Sequence, residues 1–314
     1  MSHEPRRRRR VAIVLALSLV IIFGNLALHG PSSGRLSASG ASAGPAGTNQ
    51  RGARPAFVAV AATGSARAAQ PSNELVPALT DRVEALTSQP ASSDYASVAA
   101  VDLTTGARFS YGATGGMPDA SISKLDILEA LLLAHESSHT TLSAETDELA
   151  TAMIEHSDND AGQSLWNGLG SAAAIATANM TLGLTHTVPD PNGYYGLTTS
   201  CATDQIALLR DLVSTTGPLD VPSRTYAIGL LDDVEPDQRW GVSAAADAGS
   251  TFQVKNGWLA LDADNDLWAV NSDGIVTAGG QQLLLSVMTQ HNASEQAGIE
   301  LVESIAKTVA SAID

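Results

Sequence analysis

The sequence predicts an α+β protein of two lobes: a five-stranded antiparallel sheet assembled from both ends of the chain and flanked by the terminal helices, with an all-helical lobe inserted between its second and third strands. Three observations predict it. Two strand-like runs follow a first amphipathic segment, three more precede a last one, and the stretch between them reads as helix.

Taken in order, residues 73–86 place Leu75, Val76, Leu79, Val83 and Leu86 near a 3.6 period, which is an amphipathic helix. Residues 96–102 and 107–112 are strands joined by the turn Leu103-Thr104-Thr105-Gly106. Residues 121–134 form a buried helix through Ile122, Leu125, Ile127, Leu128, Leu131 and Leu132, and residues 146–155 form another that stops before Ser157. Helices at 165–178 and 203–215 complete the central block, separated by a loop that holds residues 188–193. Strands at 251–261, 267–277 and 282–290 and an amphipathic helix at 294–313 close the chain. A cleft is expected between the lobes, and chemistry is expected there.

The first 72 residues lie outside this domain. Five consecutive arginines at 6–10 precede an apolar run at 11–28, which as a helix would span roughly 27 Å at about 1.5 Å per residue. This is an export signal at residues 1–30, with its N-terminus held in the cytoplasm by the arginines. Its length favours an uncleaved membrane anchor, and the small residues Ala41-Ser42-Ala43 are the competing cleavage signal. Residues 31–72 are mostly Gly, Ala, Ser and Pro and read as a flexible tether, which leaves 73–314 as the folded domain, tethered to the membrane or secreted. With a net charge of −16 overall and +4 in each of residues 1–10 and 31–72, the domain carries −24. Such a surface excludes a nucleic-acid partner. The single cysteine, Cys201, excludes an internal disulfide and reads as a small buried hydrophobe. The domain is expected to be a monomer.

Three short motifs stand in order: Ser121-Ile122-Ser123-Lys124, Ser157-Asp158-Asn159 and Lys255-Asn256-Gly257. The chain has three lysines, at 124, 255 and 307, against fourteen arginines, and two of the three fall in these motifs. Lysine can lose its proton when desolvated and act as a base, whereas arginine effectively cannot. Three residues apart at a helix start, Ser121 and Lys124 share a face, so the amine can reach the hydroxyl. The helix N-terminus and a neighbouring cation are expected to lower the lysine pKa and make Ser121 the nucleophile. Ser157 would pass a proton to the leaving nitrogen, Asn159 would donate its amide to the substrate, and Asp158 would cap the turn. Lys255 would supply positive charge for a substrate carboxylate, and the backbone N–H groups of Ser121 and Trp258 an oxyanion hole.

These motifs and their order resemble class A β-lactamases and the related penicillin-binding proteins, whose signatures are Ser-x-x-Lys, Ser-Asp-Asn and Lys-Thr-Gly. The resemblance covers residues 73–314. It implies the two-lobed β-lactamase-like fold, an acyl-enzyme mechanism without a cofactor, and a small-molecule β-lactam or peptidoglycan peptide as substrate. Two features depart from it. Asn256 stands where the family has a Thr or Ser hydroxyl, which alters recognition of the substrate carboxylate. No glutamate occurs from Ser157 to Val234, where class A enzymes carry the loop glutamate that activates water for deacylation; Asp190 is in a suitable loop but shorter. The first two motifs are also only 36 residues apart, so the helical lobe is expected to be trimmed.

The functions that follow are a β-lactamase-like serine hydrolase, a penicillin-binding-like carboxypeptidase or transpeptidase with slow deacylation, or a non-catalytic envelope-binding module. Three further matches read as accidents. Residues 40–44 match Gly-x-Ser-x-Gly within the tether, where the strand–turn–helix that motif needs is missing. His135-Glu136-Ser137-Ser138-His139 matches a zinc-protease motif but falls at a helix end. Residues 262–266 echo a calcium loop yet lack its glycine and closing glutamate, and so read as a hairpin turn.

Overall fold

The computed structural model describes residues 75–90 and 93–313. The expected export signal at 1–30 and tether at 31–72 lie outside the described residues, and no helix among the described residues is long and apolar enough to cross a membrane.

The chain opens with α1 (Leu75–Thr87), then β1 (Ala96–Asp102) and β2 (Arg108–Gly112). After the two-residue strand β3 (Met117–Pro118) come α2 (Ser123–Ser137), α3 (Ala144–Glu155), α4 (Asn159–Leu169) and α5 (Ser171–Leu182). A second short strand, β4 (Thr199–Ser200), leads into α6 (Ala202–Val213) and α7 (Val221–Asp232). The chain closes with β5 (Phe252–Leu261), β6 (Leu267–Ala278), β7 (Gln281–Asn292) and α8 (Glu295–Ala310). The five long strands form one antiparallel sheet in the order β2-β1-β7-β6-β5, so the strands from the two ends of the chain meet at β1 and β7, as the sequence predicts.

Strand alternation divides the core in two. Ala99, Val101, Ile275, Leu284 and Met288 face the helical lobe and pack with α2 to α7, whereas Val98, Ala100, Leu283, Leu285 and Val287 face Val83 of α1 and Val302, Ile305 and Val309 of α8. Helix α2 runs between sheet and lobe, and every residue from Ser123 to Leu132 is buried. Two helical details differ from the sequence reading. The expected helix at 165–178 is two helices, because Gly170 adopts φ +108°, a left-handed conformation that ends α4 and turns the chain into α5. Helix α7, missed in the sequence, starts on Asp220, whose side chain accepts from Ser223 N–H, with Pro222 in its first turn.

Candidate active site

Ser121 lies in a single 3-10 turn, Ala120–Ile122, that leads directly into α2. The residues before it are fastened from several sides. The buried Asn271 of β6 donates to the Pro118 and Asp119 carbonyls at 2.8 and 3.0 Å, Asp119 N–H donates to Thr198 O at 2.8 Å, and the Ser200 hydroxyl donates to the Asp119 carboxylate. This framework holds Ala120 at φ +51°, and Ser157 sits at φ +54°. A non-glycine residue adopts that region at a cost of order 1–3 kcal/mol, and such strain concentrates at functional sites. Strand β5 comes up against the same turn. A Cβ on Gly257 would lie 2.7 Å from the backbone nitrogens of Ser121 and Ile122, so only glycine permits the approach.

The two motif lysines meet around Ser157. Lys124 Nζ lies 3.0 Å from Ser121 Oγ, 3.2 Å from Ser157 Oγ, 2.6 Å from Ser157 O and 2.8 Å from Asn159 Oδ1. Lys255 Nζ lies 2.9 Å from Ser157 Oγ and 2.9 Å from Asn256 O. A continuous path Ser121–Lys124–Ser157–Lys255 therefore runs across the boundary between lobe and sheet. Burial pushes the Lys124 pKa down to about 7, against the opposing pull of Asp158. The cause is thus desolvation, where the sequence reading invoked a helix terminus and a neighbouring cation. Lys255, fully buried on the edge strand, is pushed well below its ordinary value by desolvation and then by Lys124, with Asp273 of β6 opposing. Asp273, its cross-strand partner, is raised to about 7 by burial.

The remaining motif residues fall in different places. Asn159 is exposed at the start of α4; its Oδ1 accepts from Lys124, and its Nδ2 makes no hydrogen bond among the described residues. Asp158 caps α4 by accepting from Ala161 N–H at 2.7 Å, as the sequence suggests. Asn256 points away from the cleft: it is 1% exposed, and its amide donates to the Gln238 and Trp240 carbonyls at 2.7 and 3.1 Å. Its side chain therefore fastens the segment before β5 where a hydroxyl facing the substrate was the comparison. The Trp258 ring also turns to the α1/α8 side, edge-on to Trp240 with centroids 5.7 Å apart, so it forms no wall of the cleft.

Tyr195, missed in the sequence, completes the site. It is 7% exposed; its hydroxyl donates to Asn159 Oδ1 at 2.8 Å, and its ring centroid lies 5.4 Å from Lys124 Nζ. Burial raises its pKa, so the hydroxyl is a donor and not a base. Asp190, in the same loop, accepts from Tyr194 N–H and Asn192 Nδ2, and Glu235 faces His156 at 3.4 Å. Neither carboxylate bonds Ser121, Lys124 or Ser157 among the described residues. The histidine motif does not assemble on one helix face: α2 ends at Ser137, and His139 follows at φ +53°. Residues 262–266 form the β5–β6 hairpin connection.

A serine and two buried lysines on three separate elements, with an intervening hydroxyl, bring a hydroxyl within hydrogen-bond reach of an amine, an arrangement that can activate a nucleophile. Residues 135–313 match the model of the Beta-lactamase enzyme family. The chain belongs to that family. The match includes Ser157, Asn159 and Lys255 and begins after Ser121 and Lys124, which the geometry above joins to them. Among curated proteins, the chain is similar to Putative lipoprotein LppW of Mycobacterium tuberculosis, with 30% identity over 186 residues; the match spans 57% of this chain and 58% of that relative. Solved structures share the fold: PBP-A at 23% identity and TM-score 0.63 over 75% of this chain and 95% of that one, and a β-lactamase from Chitinophaga pinensis at 16% and 0.64 over 76% and 100%. A PBP-A mutant, solved as its acyl-enzyme complex with penicillin G, matches at 22% and 0.63 over 76% and 96%. The family fold is thus the β-lactamase-like one that the motifs imply.

Proposed function

We propose that this chain is a serine β-lactamase-like hydrolase of the cell envelope that opens β-lactam or related amide substrates on Ser121 and releases the acyl group slowly, in the manner of a penicillin-binding carboxypeptidase. The observation that supports it most is the 3.0 Å approach of a buried Lys124 amine to Ser121 Oγ. With a pKa of about 7, a large fraction of Lys124 is neutral at physiological pH and can take the serine proton. Ser121 Oγ then bonds the substrate carbonyl carbon, and the N–H groups of Ser121 and Trp258 receive the oxyanion. Ser157 Oγ, within hydrogen-bond reach of both lysines, hands a proton to the leaving nitrogen. Lys255 takes up a proton when an anionic substrate binds, and the free Nδ2 of Asn159 donates to the substrate's side-chain carbonyl.

Slow release rests on Tyr195. Hydrolysis of an acyl-enzyme needs a base to activate water, and beside Lys124 and Asn159 this chain places a protonated phenol. Envelope localisation rests on the apolar run at 11–28 and on the name of the LppW relative. Cys201, the single cysteine, is buried within the domain, so retention at the membrane would depend on that run. A monomer without a nucleic-acid partner fits the acidic composition. The test is intact-mass spectrometry after exposure to a penicillin, followed through time. A covalent adduct absent from Ser121→Ala and persisting for many minutes supports the reading. Rapid clearance with product release would assign a fast β-lactamase, and no adduct with any β-lactam would remove the acyl-enzyme.

A further inference from the structure

Away from the cleft, three chemically distinct metal ligands converge: His186 in the loop before β4, and Cys201 and Asp204 at the start of α6. Their ligand atoms all lie within 4.8 Å of one another. We propose that they form a divalent transition-metal site, with zinc as the cation that the donor set fits best. This inference does not depend on how Ser121 reacts.

The carboxylate is already aimed. Asp204 is 4% exposed; its Oδ2 accepts from His186 N–H at 2.7 Å and from Thr187 Oγ1 at 2.8 Å, while Oδ1 faces His186 Nδ1 at 3.7 Å, and the Thr185 hydroxyl, 3.5 Å from Oδ1 and 2.9 Å from Nδ1, is the group a metal ion would displace. Outer hydrogen bonds of this kind fix a ligating carboxylate in metal sites. No lysine or arginine forms a salt bridge with Asp204 among the described residues, and its charge is felt by the buried Asp119 and Asp126, both of which it raises. A cation here would remove that repulsion. The Cys201 thiol is fully buried, with Thr203 Oγ1 3.1 Å from its Sγ.

Thiolate, imidazole and carboxylate together suit zinc, with bonds of about 2.3, 2.0–2.1 and 2.0–2.2 Å. Those lengths at a tetrahedral angle put ligand atoms about 3.3–3.6 Å apart. The His186–Asp204 approach of 3.7 Å already falls close, the approaches to Cys201 are within 4.8 Å and need to close by about 1 Å at most, and the His186 side chain is 51% exposed and free to adjust. Binding breaks the Cys201 S–H bond, releases one proton and forms a metal–sulfur bond. The resulting thiolate and carboxylate neutralise the dication, and the fourth position, on the open side by His186, is left for water. Such a site would clip the loop that carries Asp190 and Tyr195 to the first turn of α6.

The test uses the full chain, stripped of metal with a chelator and titrated with Co²⁺, followed by displacement with Zn²⁺. The expected result is one equivalent of cobalt with a near-ultraviolet sulfur-to-cobalt charge-transfer band that zinc abolishes, together with a zinc-dependent rise in the unfolding temperature. Cys201→Ser should lose the band, and His186→Ala, at an exposed position that leaves the fold intact, should weaken binding at least ~10–100-fold. The proposal is overturned if the stripped chain takes up no stoichiometric metal. It is equally overturned if Cys201→Ser and His186→Ala bind cobalt and zinc as the parent does, which would move the site elsewhere, for instance to His135 and His139.

Discussion

Two sets of buried ionisable groups lie on or against α2, and the protein treats them differently. On the cleft side, Lys124 and Lys255 are surrounded by oxygen acceptors from Ser121, Ser157, Asn159 and Asn256. Inside the helical lobe, Asp126 and Glu129 of the same helix have little to bond. Asp126 accepts one hydrogen bond from Asn179 Nδ2, and neither oxygen of Glu129 has a partner among the described residues. Burial shifts both sets toward neutrality, lysines down and acids up. The consequence is opposite. A neutral amine beside a hydroxyl is a base, whereas a neutral carboxyl in a packed lobe is an inert polar group whose ionisation only costs stability.

The largest effect should come from removing the base while keeping its charge. Lys124→Arg is expected to slow acylation by a penicillin by about 10²–10⁴-fold, the usual worth of a general base. A rate within a fewfold of the parent would break the comparison by showing that the amine acts only through charge.

Next in size is the acid side. Asp126 is raised to about 7 and Glu129 well above 4.5, so in the unfolded chain they ionise at ordinary values while in the folded chain they stay protonated. Their contribution is therefore fully present below about pH 4 and is lost as pH rises toward the folded values. For Asp126 the loss runs from about 3.8 to about 7 and is on the order of a few kcal/mol. Urea unfolding at pH 5 and pH 8 should show Asp126→Asn and Glu129→Gln losing less stability than the parent between the two. Parallel losses in all three proteins would mean that the carboxyls are not held neutral.

The smallest effect sharpens the site. Tyr195→Phe removes the hydrogen bond to Asn159 and should slow acylation about five- to tenfold, which corresponds to roughly 1 kcal/mol. Because the ring still fills the space beside Lys124, deacylation should stay slow; a marked rise in release would assign the phenol itself the control of water.

The sheet and the meeting of the motif residues were legible in the sequence because each leaves a short pattern there. Alternating and continuous apolar runs mark β1, β2 and β5 to β7, and Ser121 and Lys124 stand out because three motifs follow in order and two of the chain's three lysines fall in them. What stayed hidden depends on the tertiary arrangement. The alanine-rich residues 165–178 continue a helical pattern through Gly170, and only the left-handed φ there reveals the break. Asp126 and Glu129 look like the solvent face of an amphipathic helix, yet α2 is buried on every side from Ser123 to Leu132. Tyr195 is one aromatic residue in a loop with no period to mark it, and Asn256 keeps its motif position while its side chain serves the backbone at 238–240.

With only three lysines in the chain, the central claim can be measured directly. In the full chain labelled with lysine carrying 13C at Cε, the carbon shifts would be followed by NMR from pH 5 to 11, with Lys124→Arg and Lys255→Arg used for assignment. A Lys124 resonance that titrates near pH 7, and loses that transition in Ser121-acylated protein or changes its midpoint, is the predicted result. A Lys124 signal that remains that of an ammonium up to pH 10 would contradict it, since no neutral amine would then exist to take the proton from Ser121.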